Sequence, residues 1–312
     1  MPTIVMESAE ALATLLRALG DPSRLRLLRA LEQGELTVGE MTEVTGLSQP
    51  RVSRHLRLLC EARVLRRARD RNEVYYRANV DADRRALVQQ TLDSLSPGDP
   101  DLTQDHARLK SILDRRRARA QGLLTALGIE PLDDAAAEAV AACLRELLAQ
   151  TESVPSGEWP ALGRLLDVGT GTGTMLPLLS PHADRIVAVD HSREMRLVAR
   201  ARVLANGLVN CTVQDGDMYA LSFADAYFDT VTMDRVLGVA SRPESAVAEA
   251  ARLLRPGGRL LVVETGHSIA GRESLEAWLG DAGFSPALTR DKTRGSTIAV
   301  ARRPAAARAN VA

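Results

Sequence analysis

The chain has 312 residues, 45% of them hydrophobic and 26% charged, which suits a folded protein of two domains and excludes a disordered or fibrous one. It has no basic leader followed by an apolar segment, and no apolar run near the ~18 residues of a membrane span, so it reads as cytoplasmic with no membrane partner. Cys60, Cys143 and Cys211 are too far apart for a metal-ligand spacing or a disulfide framework, and no metal is expected.

Forty Lys and Arg balance forty Asp and Glu, but residues 1–120 hold 21 basic against 17 acidic side chains, and residues 48–77 hold nine arginines against three acids. A local excess of this kind attracts a phosphate backbone. In chain order, residues 8–19 have helical apolar spacing. "GDPSRLRLLRAL" opens a second helix with Asp21 as N-cap and Pro22 in its first turn. "TVGE" places Glu40 three residues after Thr37, a capping-box spacing, for a short helix that Gly46 ends. Ser48 is placed to cap the next helix, at helix-turn-helix distance. "VLRRAR" and "EVYYRA", joined by residues 70–72, read as a β-hairpin. Helix, turn, helix and hairpin predict a winged helix-turn-helix (α+β) over residues 1–97.

A further helix over about 83–95 ends at "SPGDPD", taken as a domain boundary. Residues 98–158 read as a helical linker region with helices over 109–127 and 135–149. From residue 164 short apolar runs alternate with helices: "RLLDV", "RIVAVD", "NCTVQ", "FDTVTM" and "RLLVVE". That alternation predicts an open, mostly parallel, Rossmann-like α/β domain over 159–304. "STIAVARR" is a candidate antiparallel edge strand, and 305–312 a flexible tail.

The stretch "SQPRVSRHLRLL" carries the first functional signal. At ~100° per residue, Val52, Leu56, Leu59 and Cys60 share one arc, while Arg51, Arg54 and Arg57 lie opposite with Ser53. Such a helix alone is most often a solvated face. The capped helix before it and the arginine-rich hairpin after it turn the reading to DNA, with the helix in the major groove and the wing on phosphates. Arg51 and Arg54 are candidates for base edges. Ser48, Gln49 and the wing arginines Arg67, Arg69 and Arg71 are candidates for phosphates, and Arg57 completes the outward face. His55, at the edge of the apolar arc, is open to packing or contact.

These first ~95 residues resemble the ArsR family of winged-helix repressors through "LGDPSRLRLLRAL", "LTVGEMTEVTGLSQPRVSRHLRLLCEA" and "VYYR". The resemblance implies a homodimer on palindromic operator DNA, with repression relieved by a ligand. Metal-sensing members carry paired cysteines in the helix that reads "ELTVGEM" here. Thr37 and Gly39 stand in their place, which argues against a thiolate metal sensor. A redox or metal role for Cys60 is the remaining option of that kind; on the apolar arc, Cys60 reads as core.

"LLDVGTGTG" is a strand followed by Gly169, Gly171 and Gly173. By itself it is a tight strand-to-helix turn. A dinucleotide fingerprint wants its third glycine at the sixth position; here it is at the fifth, and Thr174 is sixth. With Asp190 ending the second strand, where a carboxylate can accept both ribose hydroxyls, the pattern points to an adenosine ligand without a diphosphate. In "QDGDMYALSF", Asp217 suits the adenine amino group and Met218 the ring. This region resembles class I methyltransferases, nearest the ubiquinone/menaquinone-biosynthesis type. The resemblance implies S-adenosylmethionine or S-adenosylhomocysteine at Asp167, Gly169, Gly171, Asp190 and Asp217.

Catalytic residues are less legible. His191 and His267 could serve as bases, but one reads as a rim residue and the other as a loop residue. Asp234 and Arg235 are better placed, with orientation of the ligand's amine and mutual pairing as their plain alternatives. There is no Tyr, Phe or Trp from residue 79 to 158 to form an acceptor pocket. As a whole the chain resembles methyltransferase-fused ArsR regulators, which implies a dimeric repressor with a nucleoside sensor. The alternative is an active methyltransferase that also carries a DNA-binding domain.

Overall fold

The computed structural model describes residues 8–78, 82–129, 134–151, 155, 158–264, 272–285, 288–292 and 296–305. The chain divides into two compact units, one from Met1–Leu123 with Ala201–Val209, the other from Leu124–Arg200 and Asn210–Ala312. Among the described residues no helix is long and apolar enough to cross a membrane, and no three His, Cys, Asp or Glu stand together as a metal site.

In the first unit, α1 (Ala9–Leu19) begins at Ser8, whose hydroxyl accepts the Ala11 N–H at 3.1 Å. Asp21 accepts the Arg24 N–H to start α2 (Pro22–Leu31). A two-residue strand β1 (Leu36–Thr37) leads into α3 (Val38–Thr45), with both bonds of the capping box between Thr37 and Glu40 in place. Gly46 closes α3 at φ +67°, the left-handed conformation that glycine takes without a Cβ penalty. Next come α4 (Gln49–Glu61), β2 (Leu65–Asp70) and β3 (Glu73–Ala78), with a sheet order β1-β3-β2. Leu15, Leu27, Leu31, Leu36, Met41, Val52, Leu56 and Leu59 close over a shared core. Ser48 sits at the N-cap of α4, but its hydroxyl makes no capping bond. The expectation drawn from its sequence position is corrected there.

After α5 (Ala82–Asp93), the segment "SPGDPD" does more than separate. Asp99 accepts the Leu102 N–H and Pro100 takes the first helical position of α6 (Pro100–Leu127), which therefore starts well before residue 109. Leu109 and Ile112 of α6 join the core of the winged helix. Its polar side chains bind the same unit: Asp105 pairs with Arg26 at 2.6 and 2.7 Å, and Arg26 also donates to the Thr45 carbonyl at the end of α3. Arg115 donates twice to Glu43, and Arg116 donates to both oxygens of Glu40.

The second unit holds α7 (Asp134–Thr151), β4 (Gly163–Val168), the single turn α8 (Leu176–Leu179), β5 (Ala183–Asp190), α9 (Arg193–Ala205) as far as Arg200, β6 (Cys211–Asp215) and β7 (Phe228–Asp234). It ends with α10 (Pro243–Leu253), β8 (Leu254–Glu264), α11 (Arg272–Asp281), β9 (Leu288–Lys292) and β10 (Ser296–Arg302). The sheet order is β6-β5-β4-β7-β8-β10-β9, parallel from β6 to β8 and antiparallel at β10 and β9. Register explains the apolar runs. Val187, Leu166, Val231 and Leu260 form one row across four strands, and Val189, Val168, Met233 and Val262 the next, all buried on one face. β10 pairs with β8 on one side and β9 on the other, so "STIAVARR" is an interior strand and β9 takes the outer place. β9 reads "LTRDK", without the apolar alternation that marks a strand.

Candidate nucleoside site and nucleic-acid interface

The chain runs β4, β5, β6 outward to one side and then returns to β7 on the other side of β4. Such a reversal, between β4 and β7, is where open α/β sheets bind ligands, just outside the carboxyl ends of the strands. Asp167, Gly169, Gly171, Gly173, Asp190, Asp217, Met218, Asp234 and Arg235 all fall at the carboxyl ends of these neighbouring strands or just beyond.

The glycines differ in what demands them. All three have positive φ, +66°, +52° and +71°. A Cβ on Gly169 would lie 2.2 Å from Val236 Cγ2, and one on Gly173 3.2 Å from Ala199 Cβ, so both allow close packing. A Cβ on Gly171 would meet nothing nearer than the Gly169 carbonyl at 3.9 Å. That leaves open space above the loop, a cradle that a side chain would begin to fill.

Asp190 is buried and shapes this loop. Its Oδ2 accepts the Gly171 N–H and its Oδ1 the Ser192 N–H, both at 2.8 Å. Each carboxylate oxygen keeps further lone-pair capacity. Asp167 lies on the sheet face opposite the apolar rows, next to Ala188 and Thr232 in register, and accepts the Thr232 hydroxyl at 2.5 Å. Burial pushes its carboxyl up to about 6. Asp217 is exposed and accepts the Tyr219 N–H at 3.0 Å, with Met218 half-buried beside it.

Asp234 is held by Arg235 through two bonds, 3.1 and 2.9 Å. Arg235 has φ +55°, and its N–H donates to the Val263 carbonyl. Behind them, buried Glu264 accepts the N–H groups of Leu237 and Gly238, and burial raises its carboxyl above the usual range. Leu144 of α7 lies with Met175, Leu179, Met233, Asp234 and Val263 around a narrow apolar recess. His191 is on the rim with its ring exposed, and His267 is outside the described residues. The sequence reading missed Thr232 and Glu264. Thr232 showed as a polar interruption of an apolar strand, whereas nothing marked Glu264 as buried.

On the first unit, Ser48, Gln49, Arg51, Arg54 and Arg57 are exposed along α4, opposite buried Val52, Leu56 and Leu59. Arg66, Arg67, Arg69 and Arg71 are exposed on the hairpin, where Arg69 Nε donates to the Arg71 carbonyl. His55 is not on this face: it packs 4.0 Å from Asp21, and burial lowers its pKa. Cys60 is half-buried against the core, with its thiol raised by burial.

Fold and site together define a chain made of a winged helix-turn-helix unit and a class I methyltransferase-type α/β unit. More particularly, residues 21–67 match the family model of bacterial regulatory proteins of the arsR family, and residues 166–262 that of the methyltransferase domain. The chain is 40% identical over 102 residues to a phosphatidylethanolamine N-methyltransferase of Cereibacter sphaeroides, covering 32% of this chain and 50% of that protein. It is 41% identical over 110 residues to the ubiquinone/menaquinone biosynthesis C-methyltransferase UbiE of Dinoroseobacter shibae, covering 33% and 43%. The chain thus spans half the length or less of these relatives. A solved S-adenosylmethionine-dependent methyltransferase from Aquifex aeolicus aligns over 55% of this chain and all of its own, with 20% identity and a TM-score of 0.44.

Proposed function

We propose that the protein is a DNA-binding transcriptional repressor, acting as a homodimer on operator DNA, whose second unit senses S-adenosylmethionine or S-adenosylhomocysteine. The observation that carries this reading is the presence in one chain of an outward row of arginines on an ArsR-type helix and wing and of a glycine cradle beside Asp190. Arg51 and Arg54 read base edges, while Ser48, Gln49, Arg67, Arg69 and Arg71 hold phosphates and Arg57 supports the same face. In the second unit, the open space over Gly171 fits an adenosyl group, Asp190 its ribose hydroxyls, Asp217 and Met218 its adenine, and buried Asp167 its ammonium. Gly169 and Gly173 keep the loop close-packed beneath it.

The second reading, an active methyltransferase, is favoured by the names of the aligned relatives and by Asp234 at the end of β7. S-adenosylmethionine would supply the activated methyl group. Arg235 donates one bond to each Asp234 oxygen, which fits Asp234 as an ion-pair partner and leaves each oxygen a further lone pair.

Calorimetry and operator-binding titrations separate the two. A sensor binds one nucleoside and releases operator DNA in its presence, and linkage requires operator DNA to weaken nucleoside binding by the same factor. S-adenosylhomocysteine is the expected inducer. Methyl transfer to a small acceptor, lost in Asp234→Ala, with no effect of either nucleoside on DNA binding, decides for the enzyme.

A further inference from the structure

Burying a guanidinium is costly unless its charge is paired and its donors are taken up. Arg196 on α9 is only 1% exposed, the largest fully buried side chain among the described residues. Its Nη1 lies 2.7 Å from Asp215 Oδ1, 2.9 Å from the Asp190 carbonyl oxygen and 3.0 Å from that of His191. Asp190 and Asp215 are register partners at the last positions of the parallel neighbours β5 and β6. One cation therefore grips the ends of both strands. One turn further along α9, buried Arg200 donates to the Val213 carbonyl at 2.6 Å, inside β6 and away from its tip.

We propose that Arg196 is a positioning residue for nucleoside recognition: by tying the tip of β5 to the tip of β6, it fixes the spacing between the ribose acceptor Asp190 and the adenine acceptor Asp217. The inference rests on the reading of these strand ends as an adenosyl site. Asp217 follows Asp215 by two residues, and the Asp190 side chain holds Gly171, so a shift at either tip moves both halves of the site. Two acceptors held at the ligand's own spacing bind it without the ordering cost that loose acceptors carry.

The test compares S-adenosylhomocysteine with its 2′-deoxyribose analogue on the full-length protein, by calorimetry, in wild type, Arg196→Met, Arg196→Lys and Arg200→Met. The wild type is expected to prefer the ribose form by about tenfold or more, the worth of a hydrogen bond to a charged acceptor. Arg196→Met should bring that preference close to one. Arg196→Lys, which keeps the charge, should restore part of it, and Arg200→Met should lower the melting temperature while leaving it intact. If Arg196→Met does not fold, Arg196→Lys and Asp215→Asn carry the comparison, each with a reduced preference. A preference unchanged in all Arg196 and Asp215 variants makes Arg196 a stability element and overturns the proposal. Wild-type binding without any ribose preference overturns the role of Asp190 and the proposal with it. If the wild type binds neither S-adenosylmethionine nor S-adenosylhomocysteine, the adenosyl reading itself fails.

Discussion

Gly169 and Gly171 are two residues apart in one loop, and substitution should separate structural from ligand demands. Alanine at 169 meets the stiff, β-branched Val236 and should destabilise the second unit by about 1–3 kcal/mol, read by chemical denaturation. Alanine at 171 enters open space, so only its left-handed backbone is strained, at about 1 kcal/mol. It should leave the unit folded and remove nucleoside binding. Asp167 predicts a pH dependence. Its carboxyl titrates near 6 when folded and near 3.8 in the unfolded chain, so between these values the folded protein holds a proton that the unfolded chain has released. The ligand-free unit therefore gains stability as pH falls from about 6 to 4, by up to about 3 kcal/mol, and loses it as pH rises through that window. A ligand ammonium favours the ionised form, so nucleoside affinity should rise with pH through about 6, and Asp167→Asn should flatten that rise in calorimetric titrations.

At the scale of elements, the proposed repressor reading gives α4 and the hairpin different tasks on DNA. Arg51→Ala or Arg54→Ala should cost about 1–3 kcal/mol on the operator and relax its sequence preference. Arg67→Ala or Arg69→Ala should weaken all DNA alike and flatten the salt dependence. Unchanged operator affinity in the double Arg51/Arg54 variant would remove α4 from the interface. α6 braces α3, because Arg116 holds Glu40, which also completes the capping box of α3. Removing Arg116 leaves a half-buried carboxylate with only its local partners. Arg116→Ala should cost about 1–3 kcal/mol of local stability, seen as faster hydrogen exchange in α3, and unchanged exchange there would show that the capping box suffices alone.

For the whole molecule, the proposed repressor function calls for a dimer, since one winged helix covers a half-site. Leu12 and Leu16, one turn apart on α1, are 37% and 51% exposed, and an apolar pair at this spacing is a ready contact for a second copy through α1 and α5. Leu16→Glu should shift sedimentation to the monomer and lower operator affinity while the monomer stays folded. A wild-type monomer on a single half-site at micromolar concentration would count against this assembly.

Local chemistry made much of the chain legible before folding. Asp21 and the Thr37–Glu40 box announce helix starts because capping acts over three residues. The apolar runs of β4, β5, β7 and β8 announce a parallel sheet because strands buried between layers need no alternation. The loop of Gly169, Gly171 and Gly173 shows in sequence because its left-handed backbone strongly favours glycine. Long-range geometry decided the rest. β9 is a strand only because β10 offers it an edge. Arg196 lies inside rather than facing solvent like Arg193, and only its phase with buried Ala199 and Val203 hinted at this. α6 joins the winged helix through Arg26, Glu40 and Glu43, partners 72 to 79 residues away in sequence. Spacing along a chain encodes contacts within a turn or a strand, whereas a buried charge finds its partner only when tertiary packing brings the two together.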